Sequence, residues 1–177
     1  MSALTTDQII ALLTEYVQQS GEPLDLILIG GLALQAYGAT ERSTRDLDAE
    51  LTGNLTSLAA FLTAHQIPAD LSENISGWAV VAMPPGYRVR ATTLFESSGL
   101  RVRLLDPVDF IIAKLRRGTE LDLDDARFVA GRFHVSGASV RNAAEAALAA
   151  SPKDTALFAF QQIVTRFCDM LTSSHGP

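Results

Sequence analysis

Apolar residues in the first twenty positions return every three or four residues, at Ile9, Ile10, Leu12, Leu13, Tyr16 and Val17. That spacing predicts an amphipathic helix. Thr5 and Gln8 have the separation of a capping box at its start, and Gly21 followed by Pro23 marks its end. The pattern then changes. Residues 24–29, LDLILI, form an almost unbroken apolar run and predict a strand buried on both faces. GLALQAYG supplies about two turns of helix, and RDLDAEL alternates polar and apolar residues as a strand does. Asn54 stands at the N-cap position of a third helical segment, residues 54–65.

Residues 66–86 carry no clear period and are broken by Pro68, Pro84, Pro85 and Gly86. Beyond them, YRVRATTLFE and LRVRLLD, joined by SSG, predict a hairpin. Asp106 and Pro107 fit the N-cap and first helical position of DPVDFIIAKLRR. Three more helices are expected at about 122–132, 138–150 and 154–172. The fold class is therefore α+β: a small mixed β-sheet with helices packed on it and a C-terminal helical extension. A boundary near 135 would separate an α/β domain, 1–135, from an extension, 136–177, packed on the same domain.

With 177 residues and 47% hydrophobic content, the chain can bury a core and is too apolar for general disorder. No apolar run approaches the ~18 residues of a membrane span, and the N-terminus lacks a basic-then-apolar signal. Cys168, the single cysteine, has no partner for an internal disulfide, and no Cys/His cluster suggests zinc. These features lead to the expectation of a cytoplasmic protein with no membrane partner. The net charge of −6 argues against broad nonspecific binding to nucleic acid, while leaving a local basic patch open.

Alternation along the second strand puts Asp46 and Asp48 on one face and turns Leu47 to the other, toward a core. Two carboxylates ~7 Å apart at Cα can share divalent ions, and hard oxygen ligands suit magnesium or manganese. Gly30 and Gly31 end a buried strand and open a helix, so the backbone there can approach a phosphate. Metal plus phosphate is the chemistry of phosphoryl or nucleotidyl transfer. Each motif alone has a plain structural reading: such glycines relieve crowding, and Asp-x-Asp occurs on solvated edge strands. Their combination around one short helix points to chemistry instead.

Arg42 and Arg45 read either as a phosphate clamp or as counterweights to Glu41, Asp46 and Asp48. Lys114 reads either as a point charge for a phosphate or as part of a solvated helix face ending in Arg116 and Arg117. Asp122, Asp124 and Asp125 are acids in a helix's first turn, and a salt bridge from Asp122 or Asp125 to Lys114 or Arg117 would fix the helix pair. His65, His134 and His175 have no spacing that suggests a ligand set, and Trp78 reads as packing. The last helix is amphipathic, with Leu157, Phe158, Phe160, Ile163, Val164, Phe167 and Leu171. Most of that apolar surface is expected to cover the sheet or the preceding helices, and any excess would form a dimer or partner surface.

IGGLALQAYGATERSTRDLDAEL resembles the nucleotidyltransferase superfamily signature of a Gly-Gly turn, a short helix and Asp-x-Asp. It is most similar to the minimal prokaryotic branch related to AbiEii-type toxins, through Gly30, Gly31, Ala33, Leu34, Arg42, Thr44, Asp46 and Asp48. A later stretch resembles an uncharacterised subgroup of that branch, through Asp106, Pro107, Asp109, Lys114, Leu115, Asp122 and Asp125. The likeness covers roughly residues 24–130. It implies a nucleotidyltransferase-like fold with Mg²⁺ (or Mn²⁺) held by the catalytic acids Asp46 and Asp48. Nucleotide or phosphate binding would fall to Gly30, Gly31, Arg42, Thr44, Arg45 and Lys114. A nucleoside monophosphate would pass from a nucleoside triphosphate to an acceptor, whether RNA, protein or small molecule. A toxin–antitoxin setting with a cognate partner protein is implied in the same way. The sequence departs from that pattern at the third carboxylate, which active relatives supply from a later strand. LRVRLLD, the strand expected to carry it, offers Arg101 and Arg103, so Glu96 or Glu50 would have to substitute; Asp106 reads as a cap. The alternative is a catalytically degenerate member of the fold, acting as a nucleotide-binding or antitoxin-like partner module. A small antibiotic nucleotidyltransferase would also need an acceptor pocket, which the sequence does not display.

Overall fold

The apolar run that follows the first helix becomes the middle strand of a five-stranded sheet, β1 (Leu24–Leu28). In a computed structural model describing residues 3–173, the other strands are β2 (Leu47–Thr52), β3 (Ala69–Ser72), β4 (Thr92–Ser97) and β5 (Leu100–Leu104). Their order is β3-β2-β1-β5-β4. β1 runs antiparallel to β2 and parallel to β5, while β3 is parallel to β2 and β4 antiparallel to β5. The helices are α1 (Thr6–Ser20), α2 (Gly31–Ala36), α3 (Leu55–Ala64), α4 (Tyr87–Arg90), α5 (Pro107–Arg117), α6 (Glu120–Arg132), α7 (Gly137–Ala149) and α8 (Ala156–Ser173). The α+β class with a mixed sheet is as expected. Residue His175 lies outside the described residues.

Register sorts the sheet into two faces. Ile27 stands opposite Glu50 and Arg103, Asp25 opposite Thr52 and Arg101, and Asp48 opposite Asp70. Directly opposed residues share a face, so one face gathers Asp25, Asp48, Glu50, Asp70, Arg101 and Arg103. The alternate positions, among them Leu26, Leu28, Leu47, Ala49, Leu51 and Val102, form an apolar face and are all buried. β1 is buried throughout except at Asp25, which is half-buried and accepts from Arg103 Nε at 2.8 Å. α1 packs against β5 and α2, and α3 against β3. Ile9 and Leu13 of α1 are fully buried, each contributing roughly 1.5–3 kcal/mol.

The expected caps are present. Thr5 and Gln8 exchange hydrogen bonds, Gly21 ends α1 in the left-handed region at φ 68°, and Asn54 caps α3. Asp106 Oδ1 accepts from Val108 N at 2.9 Å, with Pro107 opening α5.

Other expectations change. YRVR, read as the start of a strand, winds into α4, because Gly86 at φ 83° turns the chain and its carbonyl accepts from Val89 N and Arg90 N. The strand begins only at Thr92. Residues 66–86 contain β3 and a 3-10 turn, Ile75–Trp78. That turn buries Ile75 and leaves Trp78 41% exposed, so Trp78 does not fill a core. The chain folds as two compact units. The sheet and α1–α3 form one unit (residues to Ile75 with Ala91–Leu105), and Ser76–Arg90 with the chain from Asp106 onward forms another. α5 joins the second unit because it packs against α6, α7 and α8. In α8, Phe160, Val164, Phe167 and Cys168 are buried while Phe158 is 65% exposed. Among the described residues, no helix is long and apolar enough to cross a membrane.

Candidate functional site

Two segments distant in sequence meet at the end of β1. Ile29 N donates to the Asp48 carbonyl at 3.0 Å, extending the pairing with β2 up to the glycine turn. Asp48 is thereby fixed over Gly30: a Cβ built on Gly30 would fall 1.8 Å from Asp48 Oδ2. Gly30 has φ −81°, so the glycine is needed for space and not for a left-handed backbone. Gly31, the first residue of α2, is crowded in the same way, with Thr44 Cβ 2.6 Å and Thr44 Oγ1 2.7 Å from a built Cβ. Thr44 Oγ1 in turn donates to Asp46 Oδ1 at 2.6 Å. Asp46 occupies the bend one residue before β2 and is exposed, Asp48 is half-buried, and Leu47 between them is fully buried on the apolar side. Gly30, Gly31, Thr44, Asp46 and Asp48 thus form one cluster.

Gln35, which sequence reasoning passed over, shapes the loop that delivers Thr44. Its Nε2 donates to the carbonyls of Leu4 (3.0 Å) and Arg42 (2.8 Å), and its Oε1 accepts from Thr6 N at 3.2 Å. Leu4 N donates to the Thr44 carbonyl at 2.8 Å, pinning the start of the chain beside it. Arg42 is half-buried on this loop. Arg45 is exposed and lines a cavity of about 390 Å³ with Leu4, Gln8, Leu12, His65 and Ile67.

Of the acids considered as a third carboxylate, Glu96 lies across the sheet from this pair, and Glu50 shares the face of Asp48 two residues along β2. β5 is separated from β2 by β1, and its Arg101 and Arg103 pair with Glu96 and Asp25. Glu96 on β4 is three strand spacings from β2, about 14 Å. Glu50 is buried, with Oε2 accepting from Ile75 N at 2.8 Å. The other neighbour of β2, besides β1, is β3, and its exposed Asp70 is in register with Asp48, about 5 Å away at Cα. Sequence reasoning missed it because β3 is four residues long; the polar–apolar step Asp70-Leu71-Ser72 after Pro68 was its only signal. Among the described residues, no three His, Cys, Asp or Glu side chains converge closely enough to hold one ion. Two carboxylates still fit magnesium, which is commonly held by one or two protein acids plus substrate phosphates and water.

The model of the family described as "Nucleotidyltransferase of unknown function (DUF6036)" matches residues 5–144. The chain belongs to this family. Membership gives the nucleotidyltransferase a nucleotide substrate and takes in the glycine turn, the acid pair and Lys114. Among solved structures the chain is similar to an antigenic nucleotidyltransferase-like protein from Paracoccidioides brasiliensis. The two share 14% identity over 99% of this chain and 90% of that one, with a TM-score of 0.52, which shows a common fold. No curated protein matches.

Lys114 of this nucleotidyltransferase lies in the second unit and is 5% exposed. Its Nζ is 2.8 Å from Asp125 Oδ2 and 3.4 Å from Asp122 Oδ1. Asp122 also accepts from Thr119 Oγ1 at 2.6 Å and pairs with Arg117. Burial alone would raise the Asp122 carboxyl; the bonds from Arg117 and Thr119, with Lys114 nearby, outweigh it and hold it below its usual range. The salt bridge expected to fix this helix pair is therefore present, and the Lys114 ammonium is engaged in it. Asp109 is buried and held by both Arg90 Nε (2.8 Å) and Nη2 (2.9 Å), yet desolvation still pushes its carboxyl up. Arg116 donates to the carbonyls of Val81 (2.6 Å) and Ser76 (2.8 Å), and burial lowers its pKa to about 10.

Proposed function

We propose that this nucleotidyltransferase moves a nucleoside monophosphate from a nucleoside triphosphate to an acceptor hydroxyl, with a divalent cation held by Asp46 and Asp48. The observation that carries this reading is the packing of Asp48 on Gly30 and of Thr44 on Gly31, which unites the two halves of the motif. Mg²⁺ or Mn²⁺, when bound, neutralises charge on the triphosphate. The Gly30–Gly31 turn passes close to the phosphates, and Arg42 and Arg45, on either side of Thr44, supply positive charge. Asp70 receives the proton. The acceptor oxygen bonds to the α-phosphorus, the bond to pyrophosphate breaks, the hydroxyl proton passes to Asp70, and pyrophosphate leaves. Lys114 serves this chemistry only through the helix pair it holds together.

The run from Gly30 to Asp48 also supports a likeness to the AbiEii-type branch, which makes RNA and protein, in a toxin–antitoxin setting of the cytoplasm, the acceptors to try first. The test is incubation with α-labelled nucleoside triphosphates, Mg²⁺ or Mn²⁺, and total RNA or cell protein. Label should reach one acceptor with the native protein and none with Asp46→Asn/Asp48→Asn. Undiminished transfer by the double variant would overturn the reading. That no three acids converge among the described residues favours a second reading, a catalytically degenerate module. Acid-dependent nucleotide binding with no transfer to any acceptor would select it.

A further inference from the structure

We infer that Thr44 is a positioning residue that sets how Asp46 presents its carboxylate to a cation; this rests on the metal role proposed for Asp46. Asp46 is exposed at a bend, where an aspartate side chain is normally spread over several staggered rotamers. Here it has a hydroxyl partner that is itself held in place. Thr44 is 8% exposed, β-branched and therefore stiff at χ1. Its carbonyl accepts from Leu4 N, and its side chain lies where a Cβ on Gly31 would have to go. A hydroxyl carries a single proton, and the 2.6 Å separation from Asp46 Oδ1 is that of a donation to a carboxylate. The bond fixes the rotation of the carboxylate while leaving its remaining lone pairs for a cation. The same bond separates this role from phosphate binding, because the proton that would meet a phosphate oxygen is already committed. Gly31, Thr44 and Asp46 form a relay in which the shape of the turn dictates the direction of the acid.

The test is Mn²⁺ titration of the full chain without nucleotide, read by the loss of free-ion signal in electron paramagnetic resonance, alongside thermal melting. Thr44→Val keeps the branched shape and removes the hydroxyl; Thr44→Ser keeps the hydroxyl and removes the methyl. The valine variant should bind Mn²⁺ roughly ten- to a hundredfold more weakly while melting near the native temperature. The serine variant should keep native Mn²⁺ affinity while melting lower. A purely structural role would make affinity follow melting temperature. Should Thr44→Val fail to fold, Thr44→Ala against Thr44→Ser makes the same comparison. Native affinity in the hydroxyl-free variant, or equal loss in the serine variant, would overturn the inference while leaving the metal role standing. Native protein that binds Mn²⁺ no better than Asp46→Asn/Asp48→Asn would remove the metal role, and this inference with it.

Discussion

Asp122 and Asp125 on α6 are buried and are met by the Lys114 ammonium, whereas Asp46 and Asp70 beside and on the sheet are exposed, and Asp46 is met by a neutral hydroxyl. Both are clusters of aspartates, so composition alone does not distinguish them. Solvation does. A desolvated carboxylate needs a cation supplied by the protein itself, and removing that cation leaves an uncompensated charge. An exposed carboxylate oriented by a hydroxyl keeps lone pairs for a cation from solution. The first arrangement stabilises a helix pair; the second suits an exchangeable ligand.

The largest expected effect is on the exposed side of this comparison. Asp46→Asn/Asp48→Asn should lower transfer of labelled nucleotide by about 10³-fold or more, with an unchanged circular dichroism spectrum. An unfolded double variant would mean that these acids are structural like the buried ones. Lys114→Met should lower the unfolding free energy in urea by about 3–5 kcal/mol, since Asp122 and Asp125 would stay buried without it. Asp46→Asn alone should change that quantity by less than about 0.5 kcal/mol. Gly30→Ala forces the Asp48 carboxylate aside and should reduce turnover by about one to two orders of magnitude, measured as kcat/KM for the nucleotide.

Acid titration divides the buried acids themselves. The folded pKa of Asp122 is lowered, so its contribution to stability is complete above about pH 4 and is lost as pH falls through the lowered value. Asp109, raised by burial, has the opposite sign: its contribution is present below the ordinary carboxylate value and lost as pH rises through the raised one. Asp122→Asn should therefore flatten the acid limb of a plot of urea midpoint against pH. The smallest effect belongs to Arg127→Ala, which removes an exposed pair with Asp124 and should cost less than about 0.5 kcal/mol by the same assay.

Much of the fold was legible wherever a local rule acted alone. The capping box at Thr5 and Gln8, the stop at Gly21, and the Asp106–Pro107 start of α5 are each determined within a few residues. The cluster of glycines and acids was legible for a different reason: Gly30 and Asp48 are close only because β1 and β2 pair, but their motif spacing carries that pairing. What was not legible depended on neighbours remote in sequence. Asp70 gains its place from the register of β3 against β2, and four residues are too few to show a period. YRVR has the alternation of a strand, and the turn at Gly86 overrides it. For Lys114 the sequence offered a phosphate charge or a solvated helix face, and its burial beside Asp122 and Asp125 depends on helix packing that spacing does not display.

Asp70 rides on the rim of the sheet, on a strand of four residues paired along one side only. Rim strands of that length fray at a small fraction of the free energy of global unfolding. Amide exchange at Asp70, whose N–H the parallel register turns toward β2, would then report excursions in which the acid swings out of line with Asp48 while the rest of the sheet stays intact. Catalysis that draws on Asp70 inherits that breathing, and a ligand bridging the rim to its neighbour would slow exchange there as it raised turnover.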